Sequence, residues 1–223
     1  MKKLERLGEA KSPDGSVLTL FRHDQAYSIR VNGVELMSTR RHNSEDALAN
    51  FVCDPLREMT HARVLVGGLG LGFTLKAALF ALPSNAHVNV VESIGEVIAW
   101  NQNPEYGLAV EALRDERVTL HHSDVGKFLL RHPNVFDAIM LDVDNGASPL
   151  TTGGNAALYR STGIHIAAAA LRPGGRLAYW SAKEDGQLEA LMQQAGLRTQ
   201  MHSVRAHPTS GPWHTIYVGR AKD

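Results

Sequence analysis

The sequence has little cysteine, no excess of charge of either sign and no long apolar run. Cys53 is the only cysteine among 223 residues, which excludes an internal disulfide and gives no support to a cysteine-based metal site. Lys and Arg total 23, and Asp and Glu also total 23, so no net charge attracts nucleic acid or an anionic membrane. We therefore expect a small neutral or mixed-charge molecule as the partner.

No segment predicts membrane insertion or export. The longest apolar stretch, Val64 to Leu75, falls well short of the roughly 20 residues that span a bilayer. Met1-Lys2-Lys3 is followed by polar residues rather than by the apolar part of a secretory signal, so we expect a cytoplasmic protein. The 11 histidines are scattered, and the adjacent His121 and His122 would point to opposite faces of a strand. No metal is expected.

The length suits one α/β domain with a small appendage, which we place at residues 56–223 and 1–55. Alternation from Tyr27 to Ser38 predicts two strands joined at Asn32-Gly33, the pair that a type I′ turn requires. Val17 to Phe21 predicts a third strand. The amino-terminal part is therefore expected to be a small antiparallel β unit.

A short helix is expected next, capped by Asn43 or Ser44, running through Cys53 and ended by Pro55. From Arg63 onwards strands and helices alternate, which implies a parallel sheet with right-handed crossovers. The predicted strands are Val64 to Val66, Val88 to Val91, Val118 to His121, Ala138 to Leu141 and Arg176 to Trp180.

The stretch RVLVGGLGLG, residues 63–72, predicts a nucleoside-binding turn. Its apolar run indicates a buried strand, and Gly68, Gly70 and Gly72 permit a tight turn into a helix from Phe73 to Leu82. Glu92 ends the next strand, where an acid can accept both hydroxyls of a ribose, with Ser93 beside it. Enzymes that use NAD and enzymes that use S-adenosylmethionine (SAM) share these two features.

The end of the chain separates the two ligand classes. After a helix from Asp185 to Ala195, two strand-like runs follow, Arg198 to Val204 and His214 to Gly219. The loop between them, Arg205 to Pro212, is too short for a crossover helix, so the two strands must pair antiparallel. A mostly parallel seven-stranded sheet with a carboxy-terminal antiparallel hairpin is the Rossmann-like fold of class I SAM-dependent methyltransferases.

Polar groups follow the third and fourth strands of this sheet. Asp124 can accept a hydrogen bond from an adenine amino group, with the N–H of Val125 facing a ring nitrogen, and it can equally cap the helix from Val125 to Arg131. Asp142 can take a proton from an attacking amine, or cap the following loop. Such a base is useful because an amine with a pKa near 10.4 is neutral in only about one molecule in 10³ at pH 7.

The residues after Asp142 are candidates for the acceptor site. Asp144 would be a second catalytic acid and Asn145 a substrate contact. The spacing of Asp142, Asp144 and Gly146 is typical of a calcium loop, but Gly153 stands at the twelfth position, where such a loop needs glutamate. The segment 147–155 either closes over the site as a lid or only connects. Tyr159 and Trp180 either line the acceptor pocket or belong to the core.

The chain resembles the spermidine synthase-type SAM-dependent transferases from about Tyr27 to Ala182. The resemblance rests on VLVGGLGLG, VVES with Glu92, SDVGKFL with Asp124, FDAIMLDVDNG with Asp142, and ALY followed by LRPGG at Leu171 to Gly175. It implies that Glu92 binds the donor ribose, that Asp124 binds adenine and that Asp142 is the base acting on the incoming amine. It also suggests a homodimer built through the amino-terminal β unit.

Three departures from the family concern the substrates. Asp142-Val143-Asp144-Asn145-Gly146 replaces Asp-Ser-Ser-Asp-Pro, and Leu69 and Leu71 stand where the glycine loop usually has glycine and an acidic residue. Residues 44–50, beginning Ser44-Glu45-Asp46, replace the amine-binding Asp-Glu-x-x-Tyr-His-Glu and keep one acid in register. A dication would be poorly compensated there.

These departures favour a SAM-dependent transferase that moves a methyl group to a small nucleophile. The alternative is an aminopropyltransferase that uses decarboxylated SAM, and a third hypothesis is a non-catalytic nucleoside-binding protein.

Overall fold

The computed structural model describes residues 4–13, 15–143 and 153–223, with the side chains of residues 153–155 left out. The chain forms two sheets. The smaller is an antiparallel meander of β1 (Glu5–Lys11), β2 (Val17–His23), β3 (Ala26–Val31) and β4 (Val34–Ser38). Asn32 and Gly33 have φ of 47° and 85°, and the type I′ turn predicted there requires φ above zero at both residues.

The larger sheet has seven strands in the order β10-β11-β9-β8-β5-β6-β7. Its strands are β5 (Arg63–Gly67), β6 (His87–Glu92), β7 (Val118–His122), β8 (Phe136–Leu141), β9 (Leu171–Ser181), β10 (Arg198–His207) and β11 (Ser210–Arg220). β5 to β9 pair in parallel, whereas β11 runs antiparallel to both β9 and β10. The predicted fold class is confirmed, including its terminal hairpin.

Helices connect the strands and cover both faces of the large sheet. They are α1 (Asn43–Cys53), α2 (Phe73–Ala81), α3 (Gly95–Gln102), α4 (Val110–Leu113), α5 (Val125–Leu130), α6 (Gly153–Leu158), α7 (Ser161–Ala170) and α8 (Gly186–Gln194). A 3₁₀ turn, Asp54–Leu56, contains the Pro55 that ends α1. No helix in the described ranges is both long enough and apolar enough to cross a membrane.

Alternate residues of each central strand contribute to two cores, as a sheet covered on both faces requires. Val64 and Val66 of β5 pack with α1, α2, α3 and the small sheet, whereas Leu65 packs with α5, α7 and α8. The inner face of the small sheet supplies Leu18, Leu20, Ile29 and Val31 to the first of these cores. The small sheet is thereby packed on the same side of the large sheet as α1, α2 and α3.

The structure corrects several predicted boundaries at the two ends of the chain. β1 was not predicted, because its sequence is charged and places only Ala10 in the core, as is common in edge strands. The predicted loop Arg205 to Pro212 is largely strand, with Arg205 paired to Trp213. Pro212 is tolerated because β11 there pairs only with β10, so its missing N–H costs no bond to β9.

The predicted cap of α1 is also wrong. The helix begins after His42 and has no side-chain cap. Asn43 instead donates from Nδ2 to the Arg205 carbonyl at 2.9 Å, and the Ser44 hydroxyl bonds to other side chains. Both polar groups therefore connect α1 to its surroundings rather than satisfying the free N–H groups of its first turn.

Candidate active site

The glycine turn after β5 brings the backbone against the end of β8. Gly68, Gly70 and Gly72 all have positive φ, at 87°, 51° and 80°. A Cβ on Gly68 would lie 2.4 Å from the Asp142 carbonyl oxygen, and one on Gly70 would lie 2.9 Å from Met37 Sδ. Gly72 instead faces Ala109, 2.4 Å from where its Cβ would be, and does not line the cavity described next. Its role in the structure is close packing.

A cavity lies at the carboxyl ends of β5, β6, β7 and β8, where ligands bind in open parallel sheets. The large domain lines it with the predicted residues Gly68, Gly70, Glu92, Ser93, Asp124, Val125 and Asp142, together with Val91, Ile94, Val97, Ser123 and Val143. Leu18, Ile29, Leu36 and Met37 of the small sheet form the opposite wall. The contribution of the small sheet was not predicted from the sequence.

Glu92 is held rigidly beneath the glycine turn. Its Oε2 accepts a hydrogen bond from Leu69 N at 2.9 Å, and its Oε1 accepts one from Ile94 N at 2.8 Å. Burial raises the pKa of Glu92, and the backbone N–H groups oppose that shift. Each carboxylate oxygen retains acceptor capacity for a hydroxyl group, so this geometry suits two adjacent ribose hydroxyls.

Asp124 serves as the cap of α5, which was one of its two predicted roles. Its Oδ1 accepts a hydrogen bond from Lys127 N at 2.7 Å. The residue also lines the cavity beside Val125, so capping and contact with a ligand are compatible. The cap fixes the carboxylate without consuming all of its acceptor positions.

Asp142 follows directly on β8 and lines the cavity. Thr74 of α2 donates from Oγ1 to Asp142 Oδ2 at 3.0 Å. This hydrogen bond orients the carboxylate from the helix that follows the glycine turn. Asp144 and Asn145 lie outside the described residues. Residues 147–152, from the segment predicted as a lid, also lie outside them. Of that segment, the backbone of 153–155 forms the start of α6.

Tyr159 and Trp180 do not line this cavity. The Tyr159 hydroxyl donates to the Trp180 carbonyl at 3.0 Å, and its ring packs against Tyr179, so it belongs to the core. Trp180 is buried on the opposite face of the sheet, with its ring edge-on to His214 at 4.6 Å between centroids. Its Nε1 has no hydrogen-bond partner among the described residues.

A second carboxyl group, Glu45 in the first turn of α1, lies close enough to Asp142 for their charges to interact. Burial and the Asp142 charge raise the pKa of Glu45 to about 8. Ser44 Oγ donates to Glu45 Oε2 at 2.6 Å and lies 2.9 Å from His214 Nδ1. Burial and the nearby Arg41 lower the pKa of His214 to about 4, so its ring is neutral at physiological pH.

Only one member of this cluster was indicated by the sequence pattern. Glu45 is the one acid that the chain keeps in register with the amine-binding segment of spermidine synthases, but it was not selected as a site residue. No sequence pattern indicated His214, because it is 170 residues from Ser44 and belongs to the terminal hairpin. Only the pairing of β11 with β9 brings it to α1.

The charges around the cavity are of one sign. Its ionisable lining residues, within the described ranges, are Glu92, Asp124 and Asp142, and no Lys or Arg lines it there. In the same part of the chain no three His, Cys, Asp or Glu side chains are grouped to hold a metal ion. The cavity therefore suits a ligand with cationic groups.

The sheet order and the terminal antiparallel hairpin define the fold of class I SAM-dependent transferases. Among solved structures, the chain is similar to a spermidine synthase in complex with the transition state analogue AdoDATO (TM-score 0.75, 14% identity) and to the spermidine synthase from Thermotoga maritima (TM-score 0.72, 14% identity). Each match covers 98% of this chain and 73% of the other. No protein-family profile and no curated protein matches the sequence.

Proposed function

We propose that this protein is an aminopropyltransferase that moves the aminopropyl group of decarboxylated SAM to a small amine. The sequence placed methyl transfer first and aminopropyl transfer second. The acid-only lining of the cavity and the likeness to spermidine synthases favour the second. The lining is the observation on which the choice of donor rests.

Electrostatics favour decarboxylated SAM over SAM as the donor. SAM carries a carboxylate at the end of its methionine part, whereas decarboxylated SAM has only the ammonium and the sulfonium. Two like charges about 4 Å apart near a protein surface repel by about 4 kcal/mol. A SAM carboxylate beside Asp142 would meet that repulsion with no Lys or Arg in the described lining to offset it, while an ammonium would be attracted.

In this proposal the nucleoside lies across the ends of β5 to β7. Glu92 binds the ribose hydroxyls, and Asp124 with Val125 N–H binds adenine. Gly68 and Gly70 let the backbone approach the ligand, and Ser93 lies beside the sugar. The apolar wall from the small sheet, including Met37, excludes water from the sulfonium group.

Asp142 and Glu45 act at the acceptor end. The amine nitrogen attacks the carbon next to sulfur, the new C–N bond forms, and the C–S bond breaks to leave a neutral thioether. The proton from the nitrogen passes to Asp142, which Thr74 orients. Glu45 adds a second carboxyl group, and a cationic acceptor beside it would lower its pKa and favour its ionised form. We propose further acceptor contacts for Asp144 and Asn145, and we keep as a proposal the division of the chain into domains at residues 1–55 and 56–223.

Titration calorimetry with decarboxylated SAM, SAM, methylthioadenosine and NAD tests the donor. We expect decarboxylated SAM to bind at least tenfold more tightly than SAM, and NAD not to bind. If SAM bound as tightly as decarboxylated SAM or more tightly, methyl transfer would be the favoured reaction. Binding of the donor without turnover on a panel of amines, analysed by mass spectrometry, would support the non-catalytic hypothesis.

A further inference from the structure

A chain of two hydrogen bonds connects the candidate acceptor site to the carboxy-terminal hairpin. It runs from Glu45 Oε2 to Ser44 Oγ, 2.6 Å, and from Ser44 Oγ to His214 Nδ1, 2.9 Å. Ser44 is fully buried, and Glu45 and His214 are half-buried. Water therefore cannot take the place of a missing partner at the Ser44 hydroxyl, and its donor and acceptor roles have to be met within the chain.

The direction of these hydrogen bonds depends on the proton of Glu45. When Glu45 is ionised, Ser44 donates to Oε2 and its oxygen can accept from an N–H at His214 Nδ1. When Oε2 carries a proton, it donates to Ser44, and the Ser44 hydroxyl must then donate to an unprotonated Nδ1. A neutral imidazole can meet both demands, because its Nδ1 is a donor in one tautomer and an acceptor in the other.

The charges around the cluster keep the ring neutral while Glu45 titrates. Asp142 at the end of β8 and Asp46 of α1 both raise the pKa of Glu45, after the effect of burial. Asp46 is itself paired with His42 at 2.8 Å and faces Lys76 of α2. Arg41 faces His214 and adds to burial in holding its pKa near 4, far below the value near 8 of Glu45.

We propose that Ser44 and His214 are positioning residues that hold the Glu45 carboxyl group in place in both of its protonation states, with His214 changing tautomer each time Glu45 gains or loses its proton. When Glu45 gains its proton, the Nδ1 proton passes to the Ser44 oxygen, the Ser44 proton passes to Glu45 Oε2, and Nε2 takes a proton from water, so the net charge of the ring does not change. The reverse transfers accompany the loss of the Glu45 proton. Nε2 forms no hydrogen bond among the described residues that would oppose this exchange.

This inference rests on the proposed function for its purpose. The proton released by the attacking amine reaches the coupled carboxyl groups Asp142 and Glu45, and the acceptor site then has to keep its shape with one proton more. A fixed donor or a fixed acceptor at position 214 would satisfy Ser44 in only one of the two states. A neutral histidine can pair with the Ser44 hydroxyl in both states, so neither half of the catalytic cycle leaves that buried hydroxyl unsatisfied.

Nitrogen-15 NMR of the His214 ring, with carbon-13 NMR of the Glu45 carboxyl group, tests the proposal in the whole protein without ligand. Assignments come from His214→Gln and Glu45→Gln. Between pH 5 and 9.5 we expect Nδ1 of His214 to change from an unprotonated to a protonated nitrogen, with the same midpoint as Glu45. A ring that keeps one tautomer through the Glu45 titration, or that becomes a cation within it, would overturn the proposal.

Ser44→Ala removes the hydroxyl that links the two groups. Because the Ser44 hydrogen bond lowers the pKa of Glu45, the midpoint of Glu45 should rise by about one to two pH units and His214 should stop responding to it. In His214→Gln the Glu45 midpoint should stay near its original value, because an amide can donate or accept a hydrogen bond. In His214→Phe the Glu45 midpoint should change, because the ring can do neither. Equal midpoints in the Gln and Phe variants would refute the positioning role.

Ser161→Ala is the matched control. Ser161 Oγ lies 3.4 Å from His165 Nδ1, but that pair is exposed on α7, so its loss should leave the Glu45 midpoint unchanged. If the active protein transfers an aminopropyl group, the acidic limb of its kcat profile should move upwards in Ser44→Ala and not in Ser161→Ala. If Glu45 and His214 titrate together but no aminopropyl group is transferred, only the proposed function is refuted. If the aminopropyl group is transferred while His214 keeps one tautomer, only this inference is refuted.

Discussion

Glu92 and Asp142 are two carboxylates of one cavity that differ in their hydrogen-bond partners. Glu92 is buried, and both of its oxygens accept backbone N–H groups from the glycine turn and from the start of α3. Asp142 accepts a side-chain hydroxyl from Thr74 on the acceptor side. In the proposed mechanism the first holds the ligand in one position, and the second takes the proton.

Substitution of each carboxylate should therefore affect a different measurement. Glu92→Ala removes two hydrogen bonds to a charged group and should weaken donor binding about 100-fold or more. Asp142→Asn should leave the donor Kd within about threefold while kcat falls about 10²- to 10⁴-fold. Calorimetry and steady-state kinetics check both. Loss of donor binding in Asp142→Asn with normal binding in Glu92→Ala would reverse the assigned roles.

Glu45 should make the stability of the protein fall as pH rises. Its pKa is raised in the folded state, so between about pH 4.5 and 8 the folded chain binds more protons than the unfolded one. Its stabilising effect is complete below the ordinary pKa of a glutamate and is lost as pH rises through about 8. One pKa unit corresponds to about 1.4 kcal/mol, so the total effect is several kcal/mol.

Glu45→Gln should flatten this part of the stability profile, measured by urea unfolding from pH 5 to 9. The difference between the wild-type protein and the variant isolates Glu45, because all other groups titrate in both. Glu111→Gln is the control, since the Glu111 side chain is 82% exposed. A parallel pH profile in Glu45→Gln and the wild-type protein would show that the Glu45 carboxyl group is not perturbed by burial.

Strands, helices and turns were predictable where neighbouring residues alone determine them. The run VLVGGLGLG fixes a strand, a tight turn and a helix within a short stretch, and Asn32-Gly33 fixes its hairpin. β1 and the extended tip of the terminal hairpin were missed, because their residues are polar and pair only at a sheet edge. In those places partner strands, rather than local preference, decide the structure.

The glycine turn should be the element least tolerant of substitution. Gly68 and Gly196 share nearly the same φ, 87° and 88°, but a Cβ on Gly68 would meet the Asp142 carbonyl oxygen at 2.4 Å while one on Gly196 would meet nothing within 4 Å. Gly196→Ala should cost about 1–2 kcal/mol of backbone strain. Gly68→Ala should cost more and displace Asp142.

Urea unfolding and kcat measurements compare the two glycine variants. Loss of turnover in Gly68→Ala beyond its loss of stability is the expected outcome, with turnover in Gly196→Ala near that of the wild-type protein. If the two variants lost stability equally and both kept full turnover, the close approach of the turn to Asp142 would have no functional meaning.

At the scale of the whole molecule, the proposed active site combines segments that are far apart in the chain. Glu92, Asp124 and Asp142 were predictable, because each stands at the carboxyl end of a strand in a recognisable sheet. His214 and the apolar wall at Met37 were not, because packing of the terminal hairpin and of the small sheet brings them to the site, and Glu45 was indicated only by its register with an amine-binding segment. Such contacts between distant segments leave no local pattern in a single sequence.

The small sheet should contribute directly to donor binding. Met37 lines the cavity and lies against Gly70, so Met37→Ala would expose part of the donor to water and should raise its Kd about tenfold. Val34→Ala on the same strand is the control, because Val34 is 59% exposed. Equal donor affinity in both variants, measured by calorimetry, would remove the small sheet from the binding site.

The central claim is that an adenosylsulfonium donor lies across the carboxyl ends of β5 to β8 with its sugar on one buried acid. A crystal structure of the protein grown with decarboxylated SAM tests this most directly. We predict both ribose hydroxyls within about 3.2 Å of the Glu92 carboxylate, adenine beside Asp124, and the sulfonium facing Asp142. An unoccupied cavity at saturating donor, or a donor bound elsewhere on the molecule, would contradict the account.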